Sequence, residues 1–251
     1  MKKLKFLIAF LSISLSSCSN DDNSKQDNYN PENEEVILCM TDYMNALNDP
    51  NSKPTAASRK SSRWEVGQTI KVKFLDGSNI QHELVKQYVS QWTEYANLNF
   101  EYVSKIEDAH IAVAFNLGRP GAWSEIGARL LLPGSLYFNY QNTPSMRLGD
   151  ISNSDSSRRT VLHEFGHALG LVHETTNPTA NINWDLPKTY KYFYDSKDWS
   201  KEEVDRQVIQ KMNSNDTDYS IYAPLSIMHY NTPAYLTTDG VAVNSMSTFS
   251  N

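Results

Sequence analysis

Cysteine is scarce in this sequence: Cys18 and Cys39 are the two among 251 residues. A disulfide framework is therefore not the source of stability. A long apolar run is also absent beyond the N-terminus, which excludes an internal membrane-spanning helix. Basic residues are outnumbered, 23 Lys and Arg against 29 Asp and Glu, for a net charge of −6. This balance gives no reason to expect nucleic acid as a partner.

The composition is that of a folded protein, with 39% hydrophobic and 11% aromatic residues. From Trp64 onward about 190 residues remain. That length suits one domain, in one or two lobes, with a sizeable core. We expect a monomer.

The first 17 residues have the layout of a secretory signal. Three lysines precede a short apolar stretch, residues 6–15, which is too short to span a membrane. The following Leu-Ser-Ser-Cys resembles a bacterial lipobox, so Cys18 is predicted to be lipidated after removal of a lipoprotein signal peptide, residues 1–17. A plain signal peptide cut near Ser17 is the alternative. Either form implies export, with the lipidated form held at the outer membrane or cell surface or later released; contact with a membrane is expected only through this anchor.

Residues 18–62 are predicted to be a disordered tether and a candidate prosegment. Residues 19–35 are almost all polar and cannot build a packed core, whereas residues 36–48 form a short apolar island. A basic stretch near residue 60 is a plausible site of proteolytic cleavage. The folded domain is expected over residues 63–251.

Hydrophobic periodicity within this domain predicts an α+β fold. Asp155 or Ser156 is expected to cap the second helix. The predicted strands are 70–74, 100–103, 109–115, 130–132 and 136–140, and the predicted helices are 82–95 and 157–169.

The second helix carries a metal-binding pattern. His163 and His167 are four residues apart and so lie on one helix face. Gly170 can end the helix and turn the chain, which lets His173 reach the same ion. Three histidines and an open fourth position define a catalytic site, and imidazoles without nearby thiolates favour one Zn²⁺ ion. Glu164 is placed to take a proton from a zinc-bound water.

The extended pattern is far more restrictive than HExxH alone, and it predicts a zinc-dependent endopeptidase that hydrolyses extracellular proteins or peptides. The alternatives are a catalytically degenerate surface-binding lipoprotein that keeps the zinc fold, and a zinc hydrolase of non-peptide amides.

A second motif narrows the class. Residues 226–230, Ser-Ile-Met-His-Tyr, are called here the Met-turn. With this segment and with Glu174 directly after the third histidine, the chain resembles a metzincin of the astacin type over residues 64–235. The resemblance implies a two-lobed zinc protease domain. Its expected parts are a twisted mixed sheet, a backing helix, an active-site helix and an irregular lower lobe.

The resemblance also implies roles for single residues. Met228 would form a hydrophobic floor below the zinc ligands. Tyr230 would be a switchable ligand that leaves zinc to stabilise the oxyanion. Glu174 would hold the mature N-terminus, or a water near it. The sequence stops at Asn251, soon after the Met-turn, whereas related domains usually continue with a further helix. A natural end and a truncated chain therefore both remain open.

Cys39 lies in the candidate prosegment and is a candidate latency ligand, because a thiolate binds zinc well. Asp42 could block the zinc ion instead of Cys39. In the remaining alternative, Cys39 is a buried or idle thiol that does not bind zinc.

Overall fold

In the computed structural model, residues 64–127, 143–214, 219–244 and 246–249 are described. The predicted strands 130–132 and 136–140, and Cys18, Cys39 and Asp42, lie outside this part of the chain. No helix within it is long and apolar enough to cross a membrane.

A five-stranded sheet with the order β2-β1-β3-β5-β4 organises the domain. β1, β2, β3 and β5 are parallel, and β4 pairs antiparallel with β5 at the edge. The four residues of β3 are all buried, as expected for a central strand covered on both faces. The strands are β1 (Thr69–Phe74), β2 (Asn99–Tyr102), β3 (Ile111–Ala114), β4 (Trp123–Ser124) and β5 (Met146–Arg147).

Helix α1 spans Asn79–Val89 and begins at a capping box. The side chain of Ser78 accepts from the Gln81 backbone, and the Gln81 side chain binds back to Ser78. The α-helix ends six residues before the predicted end at 95, because Ser90–Glu94 continue as a 3-10 helix. Trp92 in that segment is buried, and its indole donates to the Leu162 carbonyl at 3.2 Å.

Helix α2 spans Asp155–Ala168. The predicted caps are wrong: Ser154 is the N-cap, and its side chain accepts from the Ser157 backbone at 3.2 Å. Asp155 instead lies in the first turn, where its carboxylate is 3.4 Å from Arg158. At the other end the indole of Trp64 donates to the Ala168 carbonyl at 2.8 Å. The start of the described domain is thus tied to the end of this helix.

Two further helices follow α2, which the hydrophobic pattern did not predict: α3 (Leu186–Lys197) and α4 (Lys201–Val204). Phe193 of α3 and Val204 of α4 belong to a second, smaller core. Its other buried members are Trp199, Val208 and Tyr230. The larger core joins the sheet, α1 and α2, and includes Met228. The Met-turn therefore contributes Ile227 and Met228 to the larger core and Tyr230 to the smaller one.

The cap of α2 generates a stability prediction. Replacing Ser154 with Ala removes the acceptor for the Ser157 backbone N–H, so the free energy of unfolding should fall by about 0.5–2 kcal/mol in urea denaturation. Ser156→Ala is the matched control, because Ser156 is exposed inside the first turn and a surface change of this kind stays within about 0.5 kcal/mol. Equal losses in both variants would contradict the assignment of Ser154 as the cap.

Candidate metal centre

Three buried histidines converge at the end of α2. His163, His167 and His173 each offer one ring nitrogen, and these atoms all lie within 4.8 Å of one another. Nε2 of His167 and Nε2 of His173 are 3.1 Å apart. Two imidazoles on one tetrahedral zinc place their nitrogens about 3.4 Å apart. The sequence therefore predicted this cluster correctly.

The turn that returns His173 to α2 depends on Gly170. Its φ of 105° lies in the region that favours glycine. Its N–H donates to the His167 carbonyl at 2.8 Å, and the N–H of Leu171 donates to the Gly166 carbonyl at 2.9 Å. These bonds close the helix end and confirm the predicted role of Gly170.

In His163 and His167 the Nδ1 atom binds a backbone carbonyl, so the Nε2 atom is available to bind a metal ion. Nδ1 of His163 lies 2.8 Å from the Ile227 carbonyl, and Nδ1 of His167 lies 2.8 Å from the Leu171 carbonyl. A carbonyl only accepts, so both rings carry their proton on Nδ1 and present a lone pair on Nε2. Nε2 of His163 is buried and has no hydrogen-bond partner among the residues the structure describes. A metal ion would satisfy it.

Burial keeps these imidazoles in the form that binds metal. It lowers the pKa of His163 and His173 well below the ordinary value, and the neighbouring histidines add to the effect. Burial also lowers the pKa of His167, to about 4. Neutral imidazole is the metal ligand, so the site is ready for an ion at neutral pH.

Glu164 follows the first ligand on α2 and is fully buried. Its predicted role as the general base beside the metal stays a prediction. A second charged group lies one turn earlier: Arg159 is also buried, and its pKa is lowered to about 10 by burial, against the attraction of Glu164. No motif in the sequence pointed to Arg159.

The Met-turn lies against α2. A Cβ on Gly166 would overlap Sδ of Met228 and would lie 3.2 Å from the Trp92 ring. Gly166 lies between His163 and His167 in sequence. The helix needs glycine at this position so that Met228 can pack directly against it. The expected role of Met228 as a floor below the zinc ligands stays a prediction.

Tyr230 is buried beside the third histidine. Its Oη lies 3.0 Å from Nδ1 of His173, and the two rings are 4.1 Å apart between centroids. His229 is turned away from the cluster: its Nδ1 donates to the Tyr230 carbonyl at 2.6 Å, and its Nε2 lies 2.8 Å from Oη of Tyr222. The role of His229 was not evident from the sequence.

Glu174 joins the end of the motif to the loop before the Met-turn. One carboxylate oxygen accepts from Asn177 Nδ2 at 2.8 Å and from the Ala223 N–H at 2.9 Å. Its own N–H donates to the Met228 carbonyl at 3.0 Å. Burial raises the pKa of Glu174, and these two donors oppose that rise. Glu174 thus holds a loop in place, and the predicted contact with a mature N-terminus stays a prediction.

Two histidines on a helix, a third beyond a glycine turn and a methionine packed against that helix define a zinc metalloendopeptidase domain of metzincin type. The family model Matrixin matches residues 58–214, and the chain belongs to the matrixin family. Zinc is the cofactor of this family, and the three histidines fit it.

Solved structures agree with this assignment. A structure of myroilysin is 34% identical with a TM-score of 0.69, covering 77% of this chain and 92% of that one. A crystal structure of myroilysin is 35% identical with a TM-score of 0.53, covering 76% and 82%. The expected mixed sheet with helices is thereby confirmed as a metzincin-like fold.

Curated relatives match over a shorter part. Serralysin B of Dickeya chrysanthemi is 30% identical over 142 residues, which is 53% of this chain and 28% of that protein. Serralysin of Photorhabdus sp. (strain Az29) is 27% identical over 121 residues, 47% of this chain and 25% of that protein. The chain spans about a quarter of the length of the curated relatives it matches.

The buried histidines predict how stability depends on pH. In the unfolded chain they titrate near 6.5, whereas folded His167 binds a proton only near pH 4. Below about pH 6.5 the unfolded state therefore binds more protons, which favours unfolding. The free energy of unfolding of the metal-free protein should be fully present above about pH 6.5 and should fall as pH drops toward about 4. Urea denaturation in a chelator across this range measures it.

His167→Gln supplies the comparison. This variant lacks one of the depressed groups, so its stability should fall less steeply between the same two pH values. Identical slopes in the variant and the wild type would contradict the assignment of a lowered pKa to His167.

Proposed function

We propose that this protein is a zinc-dependent endopeptidase that hydrolyses peptide bonds in extracellular proteins, with Glu164 as the general base. The observation that carries the proposal is the fully buried Glu164, next in sequence to His163 in a cluster of three neutral imidazoles. When bound, zinc supplies Lewis acidity, polarising the scissile carbonyl and lowering the pKa of a water.

The chain's own residues would carry the proton transfers. Glu164 takes a proton from the attacking water and later passes it to the leaving amine. The histidines stay neutral because burial lowers their pKa, so they do not compete for that proton. His163 and His167 cannot rotate freely, because each is fixed by a carbonyl on its Nδ1.

For Tyr230 we propose two successive positions. In the first its hydroxyl contacts Nδ1 of His173 at 3.0 Å and helps to orient that ring. In the second, which the astacin resemblance implies, the hydroxyl donates to the oxyanion of the tetrahedral intermediate. The burial of Tyr230 supports a role inside the site, since a buried phenol normally requires a partner.

The remaining features of the proposal concern the rest of the chain. We propose residues 1–17 as a signal peptide, lipidation at Cys18 and export to the outer membrane or cell surface. We also propose residues 18–62 as tether and prosegment, with Cys39 or Asp42 blocking zinc in a latent form, and residues 63–251 as an astacin-like, monomeric domain. N-terminal sequencing and metal analysis of the active form test the prosegment, the lipid anchor and the zinc together; an active protein that begins at Met1 would contradict the proposed signal peptide and prosegment.

Glu164→Gln tests the general base. The amide keeps the shape of the side chain but cannot accept the proton, so kcat/KM on casein should fall by about 10²–10⁴-fold. Zinc content, measured by metal analysis, should stay at one ion per chain. Glu83→Gln makes the same change on the surface of α1 and is the matched control. It should retain full activity, and a chelator should abolish that activity, which excludes contaminating proteases that do not need a metal.

Unchanged activity in Glu164→Gln would rule out this mechanism. A wild-type protein that binds one zinc and cleaves no member of a peptide library would instead favour the surface-binding alternative.

Tyr230→Phe separates the two positions of the tyrosine. Loss of an oxyanion donor should lower kcat by about 10²–10³-fold and leave the zinc affinity nearly unchanged. Tyr222→Phe is the matched control, because that hydroxyl contacts His229 rather than a metal ligand. A Tyr230→Phe protein with normal kcat when saturated with zinc, but weaker zinc binding, would show that the hydroxyl only orients His173.

A further inference from the structure

The buried cation of α2 contacts both sides of the Met-turn. Nη1 of Arg159 donates to the Ile227 carbonyl at 3.3 Å, and Nη2 donates to the His229 carbonyl at 2.8 Å. The guanidinium therefore binds the residues immediately before and after Met228. Nη1 also donates to the Met246 carbonyl at 3.0 Å, which adds a segment near the end of the described chain.

One of these acceptors is shared with a metal ligand. The Ile227 carbonyl that Arg159 binds also accepts from Nδ1 of His163 at 2.8 Å. Arg159 and His163 are four residues apart, so they project from the same face of α2. The position of this carbonyl sets the ring orientation of His163, and the helix fixes the carbonyl through a second donor.

We propose that Arg159 is a positioning residue for the metal centre: its guanidinium fixes the Met-turn carbonyls and so orients His163 and the floor residue Met228. The proposal deepens the proposed zinc site and rests on it. A partner of a metal-binding histidine orients the ring, and removing such a partner weakens metal binding or activity.

Only a guanidinium can make this set of contacts. Its planar fork sends N–H groups in fixed, separate directions, whereas a lysine ammonium is a compact charge on a flexible stem. Buried carbonyls in an irregular turn also need donors, because water does not reach them. Arg159→Lys keeps the charge and approximate length and loses the fork, which makes it the informative variant.

The neighbouring residue gives a matched control. Arg158 is partly exposed, lies 3.4 Å from Asp155 and sits over the Tyr88 ring. It carries the same side chain on the same helix, and its ion pair and its ring contact are both made with residues outside the Met-turn. Arg158→Lys therefore controls for the loss of one guanidinium from α2.

The experiment compares the full chain with its Arg159→Lys and Arg158→Lys variants. Zinc affinity is measured by competition with a chelator, and coordination geometry by the visible absorption of the cobalt(II)-substituted protein. We expect Arg159→Lys to bind zinc about 10–100-fold more weakly and to show an altered cobalt spectrum. Its kcat should fall while KM changes little. Arg158→Lys should match the wild type in all of these.

A purely structural role predicts a different result. The melting temperature of the metal-free Arg159→Lys protein would fall, but its folded form would keep wild-type zinc affinity and cobalt spectrum; that outcome overturns the proposal. If Arg159→Lys does not fold, Arg159→Gln, which keeps one donating NH₂ group, is measured instead. Failure of both to fold with zinc present would show that Arg159 serves the fold, and would also overturn it.

The outcome for Arg159 is separable from the outcome for the proposed function. Zinc affinity and the cobalt spectrum do not require turnover. A wild-type chain that binds zinc and cleaves no peptide would remove the proposed activity while these two measurements still decide the role of Arg159.

Discussion

The carbonyl of Ile227 receives two buried donors, Nδ1 of His163 and Nη1 of Arg159, and this junction joins the metal-binding helix to the Met-turn. Two parts of the site depend on that contact. It orients one ligand, and it fixes the turn that places Met228 against Gly166 and Tyr230 against His173. Because each donor and acceptor is buried, breaking one contact would leave its partner unsatisfied, which costs more than the bond itself contributes.

Burial has a second effect at this site, on charge. It disfavours the charged form of each histidine, so the ligand nitrogens stay unprotonated at neutral pH. Burial of these polar groups in the core also destabilises the metal-free domain, because Nε2 of His163 has no hydrogen-bond partner in the described part of the chain. A zinc ion resolves this cost, which couples metal binding to the stability of the domain.

The two apolar cores also explain where the site lies. The larger core holds α2 against the sheet, and the smaller one is built from α3, α4 and the residues that follow. Met228 belongs to the first and Tyr230 to the second, two residues apart in sequence. The Met-turn thus bridges the cores, and Glu174 binds it from the other side through the Met228 carbonyl. The third histidine and the turn are therefore held by packing from both cores.

Local sequence determined the parts of this protein that depend on spacing along one element. Histidines four apart on a helix share a face, the glycine after the second histidine ends the helix, and alternating residues predicted strand β1. Tertiary structure alone decided which buried groups meet. β4 pairs antiparallel at an edge, Arg159 reaches the Met-turn, and Tyr230 contacts His173. These contacts join residues far apart in the chain, and no local periodicity encodes them. They follow from which carbonyls and ring nitrogens are left without water once the cores have packed.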